Sequence, residues 1–164
     1  MDHQIGRILC CVGLRDDCDV VLEQAVSLAL ATGAELQILH AVKSLSDDVM
    51  NTLKVNIRSK EMLENLMRQR LEQARQQLAT RMETFWSQHP DVRQALGVQV
   101  ARLDVVEGYP ASVIARLAAK RGCDLIVMAA NKRGFAASYA GKVTRGVIKR
   151  TTIPVVVVPP GKNL

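Results

Sequence analysis

A glycine–lysine pair near the carboxyl end of the chain is the first candidate for phosphate chemistry. It lies in the stretch YAGKVTRG, residues 139–146, just before a segment with helical spacing. A phosphate-binding P-loop has the pattern G-x-x-x-x-G-K-[ST], in which backbone N–H groups cradle the phosphates and a hydroxyl holds magnesium. Here Ala136 occupies the place of the first glycine, and Val143 replaces the hydroxyl residue. The stretch is therefore not a P-loop, and Gly141 and Lys142 need another explanation.

Cysteine and histidine, which can bind metals or act in catalysis, are present, but their spacing does not form a known kind of site. The four cysteines, at positions 10, 11, 18 and 123, form no C-x-x-C pair and have no histidine at zinc-site spacing. Cys10 and Cys11 lie in an apolar run, where a cysteine behaves as a small hydrophobic residue. His40, at the end of another apolar run, is interpreted as a core or crevice-lining side chain. We therefore expect no metal site, no catalytic group and no enzyme activity.

Length and composition narrow the class of protein. With 164 residues, 48% of them hydrophobic and 23% charged, the chain has the size and balance of one globular domain, residues 1–164. Its apolar runs are much shorter than the roughly 20 residues that span a bilayer. The amino-terminal residues lack the basic and long apolar segments of an export signal. We expect a cytoplasmic protein with reduced thiols and no membrane partner.

The net charge of +6 raises the question of a nucleic-acid partner. Six cations bunch near the carboxyl end: Lys132, Arg133, Lys142, Arg145, Lys149 and Arg150. Aromatic residues make up only 3% of the chain, which leaves little from which to build base-stacking platforms. We interpret the cluster as a solvated basic face and do not expect nucleic acid to be a partner.

Short apolar runs alternate with segments of helical periodicity, which is the pattern of a parallel sheet covered on both faces. The predicted strands are residues 7–13, 34–42, 98–108, 123–129 and 153–159. The predicted helices are one that ends at Gly33, a long one that includes residues 63–85, one from Pro110 to Gly122, and a short one around Lys142–Arg150. Residues 43–60 have no clean period, and we expect a mobile loop with a helical turn there. The predicted fold class is α/β, a doubly wound five-stranded parallel sheet.

In such a sheet the ligand crevice lies beyond the carboxyl ends of the strands, where the strand order reverses. With the strand order 3-2-1-4-5, this point falls between strands one and four. The loops that follow these strands, residues 13–17 and 130–141, converge there, and a helix that starts near Gly141 would direct free N–H groups into the crevice. The candidate ligand-binding residues are Gly13, Leu14, Ala41, Val42, Met128, Ala129, Ala130, Asn131, Gly134, Gly141, Lys142, Val143 and Thr144.

Three long stretches carry a resemblance to a known family. They are ILCCVGLRDDCDVVLEQAVSLALATGAELQILHAV (8–42), VVEGYPASVIARLAAKRGCDLIVMAA (105–130) and GKVTRGVIKRTTIPVVVVP (141–159). In order, spacing and residue type they resemble the universal stress protein family. The resemblance implies a Rossmann-like sheet, a cytoplasmic homodimer and membership of either an ATP-binding or a non-binding group. The binding group has an Asp at the end of strand one and a loop of the form G-x-x-G, nine residues, then G-[ST].

This chain departs from the binding group at several of those positions. Gly13 stands in the place of the Asp, Ala129 in the place of the first loop glycine, and the loop is one residue shorter. Gly141 matches, but Lys142 replaces the hydroxyl residue, while Thr144 keeps a hydroxyl two positions on. We therefore expect a non-catalytic stress-response protein that binds ATP or another phosphate compound weakly at most.

Three alternatives stay open from the sequence. The first is a genuine ATP-binding stress protein, and the second is a nucleotide hydrolase of the related adenine-nucleotide hydrolase fold. Such a hydrolase would be expected to have a Gly- and Ser-rich loop after strand one, where this chain has GLRDD. The third is a nucleic-acid-binding accessory, supported only by the basic cluster. For assembly, we expect a homodimer in which Val155–Val158 meets its twofold mate, because a bare apolar strand at a sheet edge favours pairing with another chain.

Overall fold

The computed structural model describes residues 3–14, 18–130 and 141–159. Within these residues, five parallel strands form one sheet. The strands are β1 (Arg7–Cys11), β2 (Glu35–Lys43), β3 (Val100–Gly108), β4 (Leu125–Ala129) and β5 (Val155–Val158). Their spatial order is β3-β2-β1-β4-β5, so the direction of the winding reverses between β1 and β4. This confirms the predicted strand order.

Helices cover both faces of the sheet in the part of the chain that the structure describes. They are α1 (Cys18–Thr32), α2 (Asp47–Asn56), α3 (Lys60–Gln88), α4 (Pro90–Leu96), α5 (Pro110–Lys120) and α6 (Lys142–Arg150), with a 3-10 turn at Gly97–Gln99. Helices α1, α3 and α4 pack in one hydrophobic cluster, and α5 and α6 pack in the other. The predicted α/β fold class is therefore confirmed.

The central strand β1 shows why the two clusters lie on opposite faces. Ile8 and Cys10 belong to the α1 cluster, whereas Leu9 and Cys11 belong to the α5 cluster. Successive side chains of a strand point to opposite faces, and all four are buried. A strand that is covered on both sides is continuously apolar instead of alternating, which is the pattern of this segment in the sequence.

Polar contacts connect the amino ends of three strands. Asp124 Oδ2 accepts the backbone N–H groups of Gly6 and Arg7 at 2.9 and 3.0 Å. Arg7 Nε lies 2.7 Å from Glu35 Oε2, and the Arg7 guanidinium also donates to the carbonyl of Arg121. These contacts join the starts of β1, β2 and β4, and they leave the other end of the sheet free for a ligand.

The expectation of a mobile loop over residues 43–60 is wrong. Helix α2 occupies Asp47–Asn56, and α3 already begins at Lys60. Each helix has a serine N-cap: Ser46 Oγ accepts the N–H of Val49, and Ser59 Oγ accepts that of Met62, both at 3.3 Å. Helix α2 buries none of its residues, so no packing against the core marks it in the sequence.

Candidate functional site

A crevice of about 370 Å³ opens beyond the carboxyl ends of β1 and β4, at the point where the strand order reverses. A volume of this size is typical of small-molecule sites. Its lining residues come from the ends of three strands and the starts of two helices: Cys11, Val12, Gly13, Leu14, His40, Ala41, Pro110, Ile114, Met128, Ala129, Val143 and Thr144. The position agrees with the general rule for ligands of doubly wound sheets.

Two helices begin at the wall of this crevice. Pro110 is the first residue of α5, and Val143 and Thr144 lie in the first turn of α6. Neither helix has a side-chain cap at its start. The amino end of a helix carries partial positive charge and unpaired N–H groups, so this wall favours an anion over a cation.

The hydroxyl of Thr144 is engaged within the protein. Thr144 Oγ1 donates to the carbonyl of Ala129 at 2.8 Å, and the side chain is fully buried. The N–H of Gly141 likewise donates to the carbonyl of Ala130 at 2.6 Å. Both bonds hold the start of α6 against the end of β4. They leave this hydroxyl poorly placed to bind a phosphate or a magnesium ion.

His40 is the one ionisable nitrogen base among the lining residues. Its Nδ1 lies 2.8 Å from the carbonyl oxygen of Val12. A carbonyl can only accept, so Nδ1 carries the hydrogen and Nε2 is the remaining ring nitrogen. The contact fixes the ring between the ends of β1 and β2. The described lining residues include no Asp, Glu, Lys or Arg.

Cys11 is the only lining residue with a thiol among those that the structure describes. Burial raises the pKa of this thiol well above its ordinary value, because a low-dielectric site disfavours the thiolate. The thiolate is the nucleophilic form of cysteine. Cys11 therefore stays protonated and unreactive at neutral pH, and its role is to pack against the α5 face.

The structure brings together seven of the predicted site residues at the wall of the crevice: Gly13, Leu14, Ala41, Met128, Ala129, Val143 and Thr144. Val42, Ala130, Gly141 and Lys142 lie within two positions of a lining residue along the chain but are not themselves in the wall. Val42 instead packs against the α1 cluster. Asn131 and Gly134 lie outside the described residues. Contact with a ligand stays a prediction for all of them.

Five lining residues were not in the candidate set, namely Cys11, Val12, His40, Pro110 and Ile114. Cys11 and Val12 come just before Gly13 in the chain. Their position at the end of β1 was therefore a signal that could have placed them in the candidate set. Pro110 and Ile114 belong to α5, which packs against β2, β3 and α6, and nothing in their spacing indicates that they approach the crevice. His40 lines the crevice as the sequence indicated.

Among the described residues, no group of His, Cys, Asp and Glu side chains could hold a metal ion. Of the helices in those parts of the chain, none combines the length and the hydrophobicity that a membrane crossing requires.

Solved structures share this fold over nearly their whole length. The hypothetical protein MJ0577 has a TM-score of 0.68 at 21% identity, over 98% of this chain and 99% of that chain. Universal stress protein UspA from Lactobacillus plantarum has a TM-score of 0.61 at 19% identity, over 96% of this chain and 99% of that chain. A universal stress protein in complex with cAMP has a TM-score of 0.55 at 17% identity, over 93% and 95%. At these identities the likeness concerns the fold.

The family assignment comes from the sequence itself. No curated protein sequence matches this chain significantly. The sequence model of the universal stress protein family, however, matches residues 4–159. Since this match includes nearly all of the chain, the chain belongs to the universal stress protein family.

Proposed function

We propose that this protein is a non-catalytic, cytoplasmic stress-response protein whose crevice binds ATP or another phosphate compound weakly at most. The observation that carries the proposal is the chemistry of the crevice wall. In the described part of the chain it is mostly apolar, its threonine hydroxyl donates to the carbonyl of Ala129, and its position after β1 is Gly13 in place of a carboxylate. A nucleotide there would find space and helix starts but few fixed polar partners.

The proposal that the protein is not an enzyme rests on Cys11 and His40, the thiol and the imidazole of the crevice wall. Cys11 is held as the thiol by burial, and His40 has one ring nitrogen committed to the Val12 carbonyl. No hydrogen bond joins these two side chains among the described residues. A nucleophile needs an adjacent base or a lowered pKa to act, and Cys11 has neither.

A genuine ATP-binding protein is the second candidate function. The volume of the crevice and the two helix starts at its wall favour it. One structural relative was solved with cAMP, and this supports a nucleotide as the class of ligand to test. In this case Gly141, at the start of α6, would lie beside the phosphates.

We further propose that the protein acts as a homodimer through β5. Among the described strands, β5 pairs only with β4 and lies at the edge of the sheet. Val155, Val156 and Val157 are only half-buried, so the edge leaves both apolar surface and backbone groups for a second copy. The four cysteines are buried thiols that form no disulfide, which fits the reducing cytoplasm.

The nucleotide proposal is tested by melting the pure protein with and without millimolar ATP and magnesium. A ligand at 100 times its dissociation constant adds about 2.7 kcal/mol, which would raise Tm by several degrees in a domain of this size. We expect a much smaller shift, and no release of phosphate above the protein-free control. The Gly13→Asp variant, which supplies the carboxylate at the end of β1, should show a larger shift than the wild type.

A full shift at micromolar ATP would contradict the proposal and favour the second candidate. ATP hydrolysis that co-purifies with the protein, and that the Gly141→Asp variant lacks, would overturn the non-catalytic assignment. Nucleotide released from the freshly purified protein by denaturation, and identified by mass spectrometry, would also show that the crevice binds more tightly than we propose.

A further inference from the structure

A second cavity of about 360 Å³ lies on the outer side of α6. We name it the α6 groove and define it by its six lining residues: Tyr109, Lys142, Arg145, Gly146, Lys149 and Arg150. None of these residues belongs to the wall of the crevice. The two cavities therefore lie on different sides of α6, and a ligand of one does not need the other.

The walls of the α6 groove are dominated by cations. Lys142, Arg145 and Lys149 follow one another at i, i+3 and i+7, so they lie along one face of the helix. From Lys142 to Lys149 the helix rises about 10 Å, at 1.5 Å per residue. All three side chains are exposed, and Arg150 adds a fourth cation at the end of the row.

The charge of the α6 groove is not balanced by neighbouring acids. Among the described residues, no ion pair involves any of its four cations. In the sequence, no Asp or Glu follows Asp124, so α6 and the segments on either side of it carry no acidic side chain. Cations that are close together repel one another, and an anion that contacts several of them relieves that repulsion.

One of the four cations is already held in place. The guanidinium carbon of Arg150 lies 5.4 Å from the centroid of the Tyr109 ring, within the distance of a cation–π contact. Arg150 Nη1 also donates to the carbonyl of Gly146 at 3.0 Å. The ring and the carbonyl orient the guanidinium before any ligand arrives, which lowers the entropy lost on binding.

We propose that the α6 groove binds a compact anion that carries several phosphate groups, either a short inorganic chain or a polyphosphorylated organic molecule. One phosphate would meet one or two of the cations, whereas a row about 10 Å long suits a chain of phosphates. Arginine and lysine both pair well with phosphate oxygens. Tyr109 is the only apolar wall of the groove in the described structure, so an acidic peptide, which also needs apolar contacts, fits it less well.

The test is a calorimetric titration of the whole protein with sodium tripolyphosphate, with orthophosphate for comparison. We expect tripolyphosphate to bind and orthophosphate to bind far more weakly. In the double variant Arg145→Gln/Lys149→Gln, tripolyphosphate should bind roughly thirtyfold or more weakly, since each lost charge-assisted contact is worth about tenfold or somewhat less. The matched control is Lys54→Gln/Arg68→Gln, which removes two exposed cations from α2 and α3 and should leave the affinity unchanged.

Tyr109 supplies an independent variant that leaves the charge intact. Tyr109→Phe keeps the ring under Arg150 and should bind tripolyphosphate like the wild type. Tyr109→Ala removes the ring and should bind it several-fold more weakly, because Arg150 is then held only by the Gly146 carbonyl. The side chain of Tyr109 makes no capping bond to α5, so neither variant should alter the far-ultraviolet circular dichroism of the protein.

Four outcomes would overturn the proposal. They are no binding of tripolyphosphate at millimolar concentration, an equal loss of affinity in the two double variants, a loss in Gly141→Asp but not in Arg145→Gln/Lys149→Gln, and tight binding of an oligoglutamate peptide without binding of tripolyphosphate. If tripolyphosphate binds as expected, the same titration with inositol hexakisphosphate decides between an inorganic chain and an organic polyphosphate, according to which binds more tightly.

Discussion

Thr144 joins the start of α6 to the end of β4 through one buried hydrogen bond. Its hydroxyl donates to the Ala129 carbonyl, and the side chain has no solvent exposure. Thr144→Val keeps the shape but leaves the carbonyl unpaired, which should lower the free energy of unfolding by about 1–3 kcal/mol. Thr84→Val, the same change at an exposed position on α3, should cost less than about 0.5 kcal/mol. Urea denaturation measures both, and equal losses would contradict the role given to Thr144.

The buried cysteines should make the stability fall at alkaline pH. Burial raises the pKa of Cys10 well above its ordinary value of 9.0, so above that pH the unfolded chain releases a proton that the folded chain keeps. Stability is then full below pH 9 and is lost as the pH rises, at up to about 1.4 kcal/mol per pH unit for one thiol. Denaturation curves of the wild type and of Cys10→Ala between pH 8 and roughly 11 test this. The alanine variant should show the shallower decline, and parallel curves would exclude Cys10 as a cause.

Helices α5 and α6 approach closely because one position between them has no side chain. A Cβ atom at Gly146 would lie 2.7 Å from the Cβ of Ala111 and 3.3 Å from Arg150 Nη1. The arginine can move, but the two helix backbones cannot separate without loosening the α5 cluster. This contact places the start of α6 beside the crevice on one side and the α6 groove on the other.

Gly146→Ala should therefore destabilise the protein, even though alanine gains up to about 1 kcal/mol of helix propensity over glycine. Adding Ala111→Gly makes room for the new methyl group. In a double-mutant cycle measured by thermal denaturation, the two changes should show a favourable coupling of about 0.5–3 kcal/mol. Simple additivity of the two losses would mean that the contact does not limit the packing of α5 on α6.

The elements that the sequence predicted well are those that bury a regular apolar pattern. The long helix through residues 63–85 was found because Ala74, Leu78, Met82 and Phe85 recur at helical spacing and are buried. Helix α2 was missed because it buries nothing and depends on the Ser46 cap and its own backbone bonds. Helix α4 was also missed, although Pro90 at its first position was a signal.

The same distinction applies to the crevice. Its location follows from the strand order alone, so the contributions of Gly13, Met128 and Thr144 to its wall could be anticipated from the ends of the strands. The hydrogen bond from the Thr144 hydroxyl to the Ala129 carbonyl could not be anticipated, because it depends on the distance between α6 and the end of β4. The α6 groove was visible in the sequence only as bunched charge, since Tyr109 reaches it from the start of α5.

At the scale of the whole molecule, the edge formed by β5 should decide assembly. Val156→Lys places a charge on the edge strand and should shift the protein from dimer towards monomer. Val55→Lys makes the same change on α2, where the side chain is 79% exposed, and should leave the dimer intact. Light scattering coupled to size-exclusion chromatography gives the mass of each. A monomeric wild type at micromolar concentration would rule out the proposed dimer irrespective of how the variants behave.

The strand order also affects how the chain folds while it is being synthesised. The middle strand β1 pairs with β2, its next neighbour along the chain, and with β4, where Ile8 pairs with Leu125. On the ribosome, β1, β2 and β3 can associate while one edge of β1 is still bare, and an apolar bare edge promotes aggregation. A chain truncated after Gly122 should therefore scatter light on refolding, whereas the full chain should not. The nascent chain is therefore at greatest risk of aggregation after β3 has left the ribosome and before β4 has followed it.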